Sequence, residues 1–296
     1  MNTTKRKDSL SRRKLIFNTL SYAVLVFLAF FFLFPLIFMF MSAFKNDESQ
    51  LMRDLNSIAA FLPNSNMGVQ NFEGVFSRFN AKAGTADFWR IFLNSGIVTG
   101  FIVIIGLVVN SSFAYALARM RFFGRNALIV MVVSLIIIPF QAVAIPLMLI
   151  TYQFKLANTY VGLIIPFIAH AFSIYLFYQF FIGLPKELEE AATMDGASRF
   201  RIYWNIVLPL SGPVFATVAV SQFLGQWGNL LWPVMILQQP DLFTLPLAMQ
   251  TFFGQAPRQW GQIMAFTVMT SLPTLIMFLI FQRYFVRSAV SSGVKG

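Results

Sequence analysis

The sequence predicts an all-α protein that crosses a lipid bilayer about six times. Three observations predict it. Hydrophobic residues make up 57% of the 296 residues and charged residues only 11%, whereas an average soluble domain has about 25% charged residues. The apolar residues are gathered into long blocks, and a hydrocarbon core about 30 Å thick takes roughly 20 residues of helix to cross. No acidic residue falls inside those blocks.

Six spans follow in order: Leu15–Phe44, Ile91–Ala118, Ala127–Tyr152, Tyr160–Ile182, Leu210–Leu237 and Ile263–Phe285. The first could be misread as a secretory signal, because Lys5, Arg6, Lys7, Arg12, Arg13 and Lys14 precede it. Its apolar run is far longer than a signal core and no small-x-small site closes it, so it reads as an uncleaved span. Pro35, Pro139, Pro146, Pro166, Pro233 and Pro273 lie within the spans. Membrane helices tolerate proline where neighbours re-satisfy the freed carbonyls, and such sites often mark bends.

Basic residues set the orientation. With both termini in the cytoplasm, the inner segments hold fifteen of the 22 Lys and Arg residues, while the eleven acidic residues divide almost evenly. The net charge of +11 is therefore an inside signature and requires no nucleic-acid partner. The organisation is a basic tail (1–14), a first span (15–44), an external connection (45–90), a core of five spans (91–287) and a cytoplasmic tail (288–296). The connection mixes Asn, Gly, Pro and isolated aromatics, which reads as an ordered outer cap.

Several chemistries are excluded. There is no cysteine and a single histidine, His170, so neither a disulfide framework nor a histidine zinc site can be built. His170 lies in a span with no carboxylate to pair with. It reads as a hydrogen-bonded packing residue ahead of a proton relay. No Gly is followed by Lys, so the chain has no phosphate loop and holds no ATP by that device. No cofactor is implied.

The most informative segment runs from Leu184 to Pro209. Pro185 suits a first helical position, and Glu187, Glu189 and Glu190 lie near the positive helix end. Leu188, Ala191 and Ala192 fall at i, i+3 and i+4, predicting one small apolar face. Asp195-Gly196 reads as a turn, with Gly196 left-handed. Ser198 suits the cap of a second short helix that ends before Pro209. An ordinary loop between spans needs no such helix, and the alanine face is small enough to enter a groove on another protein.

Glu190-Ala191-Ala192, then Gly196, then Ile206-Val207-Leu208-Pro209 resemble the EAA signature of permease subunits in binding-protein-dependent ABC importers. Ala114 to Phe122, Ala192 to Ala197 and the terminal Gly293-Val294-Lys295-Gly296 resemble the smaller permease subunit of maltose-type sugar transporters. The resemblance covers nearly the whole chain. It implies a type I ABC importer permease fold in the bacterial cytoplasmic membrane. It implies a second, non-identical permease subunit, two ATPase subunits that hold ATP and magnesium, an external solute-binding protein and a saccharide substrate. By this resemblance Glu187, Glu190, Ala191, Ala192, Asp195, Gly196, Leu208 and Pro209 are ATPase-coupling residues, in and just after coupling helices at about 185–207, of which the helix around Glu187–Gly196 sits in an ATPase cleft. The residues Gly293, Val294, Lys295 and Gly296 reach between the ATPases. The stretch from Thr251 to Trp260 occupies the place of an outer loop that touches the binding protein, with Phe252, Phe253, Gln255, Arg258 and Gln259 as candidates.

Gln222, Gln226, Trp227, Asn229 and Trp232 are candidate substrate-pathway residues. Indoles stack on sugar rings and amides bond hydroxyls, and polar groups inside spans usually face a cavity. The equal alternative is helix–helix contact aided by Gly225 and Gly228. A secondary transporter is the competing class, but such proteins carry ionisable residues or broken helices at the midplane. A membrane-embedded enzyme lacks any candidate catalytic set.

Overall fold

The description covers residues 2–54, 56–80, 86–254 and 256–293 of a computed structural model. Among these residues every regular element is helical, apart from an isolated antiparallel bridge between Lys45 and Met67. The chain begins with α1 (Asn2–Phe44), α2 (Glu48–Asp54), a 3-10 turn (Ile58–Phe61) and α3 (Gln70–Arg78). The long α4 (Phe88–Arg119) follows, then α5 (Arg125–Ile137), α6 (Phe140–Gln153), α7 (Tyr160–Ile168) and α8 (Ala171–Ile182). Next come the short α9 (Glu187–Met194), α10 (Arg199–Ile202), a π-helical turn (Tyr203–Val207), α11 (Leu208–Leu210), α12 (Gly212–Trp227) and α13 (Leu231–Ile236). A 3-10 turn (Pro240–Leu242), α14 (Leu245–Phe253) and α15 (Trp260–Gly293) complete the chain.

Among the described residues, four helical stretches are long and apolar enough to cross a membrane: Phe17–Phe44, Phe88–Arg119, Tyr160–Ile182 and Trp260–Gln282. They match the first, second, fourth and sixth predicted spans. The count reaches six if each of two bent pairs forms one span. The third predicted span bends by 104° between α5 and α6, because Pro139 holds an extended backbone at the start of α6. The fifth predicted span, Leu210–Leu237, is corrected. A 79° bend separates Arg199–Leu210 from Gly212–Trp227, and α12 stops at Gly228, ahead of the separate α13. The fourth is interrupted at Ala169, whose backbone is extended.

The chain divides into two compact units. One holds the chain up to Ser77 together with the start of α15 up to Met269. Here Lys45, 2% exposed, is neutralised by Asp54 at 2.7 Å and donates to the Ala59 carbonyl at 2.6 Å. The Glu48 carboxylate accepts from the Trp260 and Gly261 amides at 2.8 and 3.1 Å. It thereby satisfies donors that the first turn of α15 leaves open. The exposed Asp47 carboxyl is held below its usual range, first by the Ser49 hydroxyl and then by the Gln50 amide.

The other unit runs from Arg78 to Gly254 and resumes at Thr270. Its centre is α4, which packs against α7, α8 and α12. The buried stripe of α4 recurs every three or four residues along the helix and includes Asn94, Ser95, Thr99, Gly106, Asn110 and Ser111. Its exposed face carries Trp89, Leu93, Phe101, Ile104 and Val108. Small and polar inside, large and apolar outside, is the pattern of a helix among helices in lipid. Asn110 joins the interrupted α7–α8 pair. Its amide donates to the Ile168 carbonyl and its carbonyl accepts from the His170 backbone, both at 3.0 Å.

Candidate functional site

The segment after α8 is built from local rules. The first turn of α9 is closed by the Glu189 and Glu190 amides, which donate to the Lys186 carbonyl at 3.0 Å. Pro185 lies just ahead of the helix rather than in its first turn, an offset of the size expected at helix ends. At the other end Gly196 is left-handed, with φ +78°. Its amide donates to the Thr193 carbonyl at 3.0 Å and the Ala197 amide to the Ala192 carbonyl at 2.9 Å. This pair of bonds is the Schellman stop, which only glycine completes without backbone strain. Asp195 is the cap residue between them. The Ser198 hydroxyl then accepts from the Arg201 amide at 3.3 Å and starts α10.

The expected alanine face is split. Ala192 packs inward, with Ala197, on the core cluster of α4, α8 and α12. Leu188 and Ala191 point outward. The reason is the Schellman turn, which places residues 192 and 197 against each other. The buried residue of α9 is instead a charged one, Glu189. Glu187 and Glu190 are exposed, and Met194 is 88% exposed.

Glu189 meets three groups. The Arg119 Nε, at the end of α4, lies 3.0 Å from its Oε1. The contact is charge to charge, since the N–H is not aimed at that oxygen. The Arg199 Nη1 lies 3.7 Å from Oε2, and the Tyr115 hydroxyl reaches Oε2 at 3.5 Å. Arg119 also donates to the Leu184 carbonyl at 2.6 Å. Beside this group an open cleft of about 1080 Å³ is lined by Arg121, Arg125, Lys186, Glu190, Thr193 and Met194. Leu208 is half-buried on the same core, while Pro209 is exposed. Pro209 has no N–H for a regular helical bond, and the wider π-helical turn precedes it.

Sequence reasoning missed Glu189 as a buried group and missed the outward Met194, Phe200 and Trp204. The Phe200 and Trp204 rings stack at 6.1 Å and are 73% and 53% exposed. Their signal was a large apolar residue in a short polar-flanked segment, where a core position was unavailable.

The candidate pathway residues separate. Trp232 is fully buried; its indole donates to the Gly162 carbonyl at 3.0 Å and its ring meets Phe140 and Phe167. The Trp227 indole donates to the Thr270 carbonyl at 2.9 Å. Both indoles are thus engaged in helix packing. Gln226 and Asn229 bond each other at 3.2 Å. They line a cavity of about 10 Å³ with Ser95, Thr99 and Thr244, room for about one water molecule. The Gln222 amide is buried against α4, with no hydrogen-bond partner among the described residues.

Of the candidates for binding-protein contact, Phe252 is 1% exposed and held by Phe79 at 5.5 Å and by Arg78, whose guanidinium lies 4.6 Å over its ring. Its side chain is thereby packed within the chain's own fold. Burial holds the Arg78 guanidinium below its ordinary pKa. Phe253, Arg258 and Gln259 are exposed. Gln255 lies outside the described residues, as do Val294, Lys295 and Gly296; Gly293 ends α15.

Residues 102–290 match the family described as binding-protein-dependent transport system inner membrane component. The chain belongs to this family. The permease is 36% identical over 270 residues to the arabinooligosaccharides transport system permease protein AraQ of Halalkalibacterium halodurans. That match covers 91% of this chain and 94% of the relative. It is 32% identical over 262 residues to the sn-glycerol-3-phosphate transport system permease protein UgpE of Salmonella typhi, covering 88% and 91%. Its fold matches a chain in the crystal structure of a bacterial ABC transporter involved in the import of the acidic polysaccharide alginate. There the TM-score is 0.78 at 23% identity, over 93% of this chain and 98% of the other. The permease is a multi-pass membrane transport component and has the fold of an ABC importer permease; it is not an enzyme.

Proposed function

We propose that the permease is one membrane-spanning subunit of an ATP-driven importer that carries a saccharide, in particular an oligosaccharide, into the cytoplasm by alternating access. It works with a second permease subunit, two ATPase subunits holding ATP and magnesium, and an external binding protein. Its termini, α9 and α10 face the cytoplasm.

The observation that carries this reading is α9. It is a short helix braced on the bundle, with Glu187, Leu188, Glu190, Ala191 and Met194 turned outward. Leu188 and Met194 on α9 and the stacked Phe200 and Trp204 after it are exposed large apolar side chains, the kind of surface that marks a partner site. An ATPase cleft would cover it, with Glu187 and Glu190 pairing to cations at the rim. The family and the relatives named for sugar transport support the saccharide class, and the connection from Lys45 to Arg90, with five basic and five acidic residues, imposes no strong charge selection.

The test is reconstitution. The permease, co-expressed with its partner subunits and returned to lipid vesicles, is expected to show saccharide-stimulated ATP hydrolysis and ATP-dependent uptake. Alone it is expected to show neither. Uptake by the permease alone under a proton or sodium gradient would make it a secondary transporter and overturn the reading.

A further inference from the structure

We infer that Arg119 and Glu189 are positioning residues that lock α9 to the end of α4, so that α4 moves as one body with the coupling helix. The inference rests on the proposed function and goes beyond it by naming the transmitting contact.

The attachment of α9 is otherwise slight. The connections before and after it, residues 183–186 and 195–198, are not helical. Its own eight residues bury Glu189 and half-bury Ala192. Left to that alone, a displacement of α9 would be absorbed by two hinges. The charge cluster removes this freedom. Arg119 is 5% exposed and Glu189 8% exposed, and they meet at 3.0 Å. The same guanidinium holds the Leu184 carbonyl at 2.6 Å, fixing the connection that leads into α9. Arg199 approaches Glu189 from α10, on the far side. A pair this well buried is strongly penalised when one partner moves away, because the charge left behind is unpaired.

The α4 helix is suited to carry such a movement. Its 32 residues span about 48 Å at 1.5 Å per residue. At the end away from Arg119, the Asn94 amide donates to the Asp241 and Phe243 carbonyls at 2.9 and 3.0 Å. The Ser95 hydroxyl accepts there from the Leu245 amide at 2.7 Å. One helix is thus held by charge to α9 and by polar bonds to the turn before α14. A movement of α9 reaches that turn only if the Arg119–Glu189 contact stays closed.

The chain has no cysteine, so introduced cysteines report cleanly. The first measurement places spin labels at Thr193→Cys on α9, outside the residues assigned to the ATPase cleft, and at Phe123→Cys just past α4, both exposed, in the fully assembled transporter. The distance distribution should be the same with and without bound ATP, and in Glu189→Gln it should change on ATP binding. The second measurement is saccharide moved per ATP hydrolysed. In Glu189→Gln, with partners still co-purifying, this ratio should fall at least about five-fold, the lower range of typical coupling energies. Glu189→Asp, which keeps the negative charge facing Arg119 and Arg199, should restore part of it. A purely structural role would lower transport and hydrolysis together and leave the ratio unmoved. An unchanged ratio in Glu189→Gln, or a label distance that already changes in the unmodified sequence, overturns the inference. If Glu189→Gln does not assemble, the label distance in the otherwise unmodified chain decides alone. Failure of the proposed function looks different: the assembled transporter without these substitutions would show no ATP-driven uptake.

Discussion

At the scale of residues, two positions in the α9 segment separate backbone from surface. Gly196 has φ +78°, and a Cβ added there would meet nothing within 4 Å. Substitution therefore costs only left-handed backbone strain, about 1–2 kcal/mol for most residues, and less for Asn. Gly196→Val should lower transport and loosen ATPase binding, with Gly196→Asn intermediate; co-purification of the ATPase measures both. Ala191 and Ala192 should differ in kind. Ala192 packs on the permease's own core, so Ala192→Trp overpacks it at about 1–3 kcal/mol and should lower the melting temperature of the isolated subunit in detergent. Ala191 faces outward. Ala191→Trp should leave that melting temperature unchanged while the ATPase is lost. Equal thermal effects of the two tryptophans would mean that the outward assignment of Ala191 is wrong.

At the scale of elements, Gly106 lets three helices meet. A Cβ there would lie 2.9 Å from the Gln222 Oε1, 3.0 Å from its Nε2 and 3.2 Å from the Ile168 carbonyl. Gly106→Ala should destabilise the permease by about 1–3 kcal/mol, read as a drop in melting temperature. Gly106→Ala with Gln222→Ala should recover part of it, because the amide is removed while the Ile168 carbonyl stays. Full recovery would show that the carbonyl moves freely; no recovery would place the strain elsewhere. The same helices show what a sequence can reveal. The spans of α1, α4 and α15 are legible because hydropathy alone fixes them. The break after Ile137 is not, since Pro35, Pro146 and Pro273 lie inside continuous helices while Pro139 sits at a bend. Proline removes one bond in each case, and tertiary packing decides whether the chain turns. The Schellman stop at Gly196 and the Ser198 cap are legible because they are local. The burial of Glu189 is not, because its partner Arg119 comes from another helix, and three glutamates at one helix start look alike until that partner is placed. Trp232 was ambiguous for the same reason: its indole partner is the Gly162 carbonyl of α7.

At the scale of the whole molecule, the remaining question is which side of the membrane α9 faces. Fifteen of the 22 basic residues fall in the segments that share a side with α9 under the six-span reading. Lys and Arg are retained on the cytoplasmic face during insertion, where anionic lipid also attracts them. The excess is carried by the N-terminal basic run, by Arg119, Arg121 and Arg125, and by Lys186, Arg199 and Arg201, so no single loop decides it. Since the chain lacks cysteine, Ser65→Cys in the connection after α1 and Phe123→Cys after α4 can each be labelled alone; both positions are exposed. In intact cells with the outer barrier opened, a membrane-impermeant maleimide should react with the first and spare the second. It should reach the second only after the cytoplasmic membrane is permeabilised. Both sites lie on connections between hydrophobic helices, so neither substitution should disturb insertion. The reverse labelling pattern would put α9 and its exposed Leu188 and Met194 on the side without ATP. It would remove the ATPase as its partner and take the lever from Glu189 to α4 out of the transport cycle.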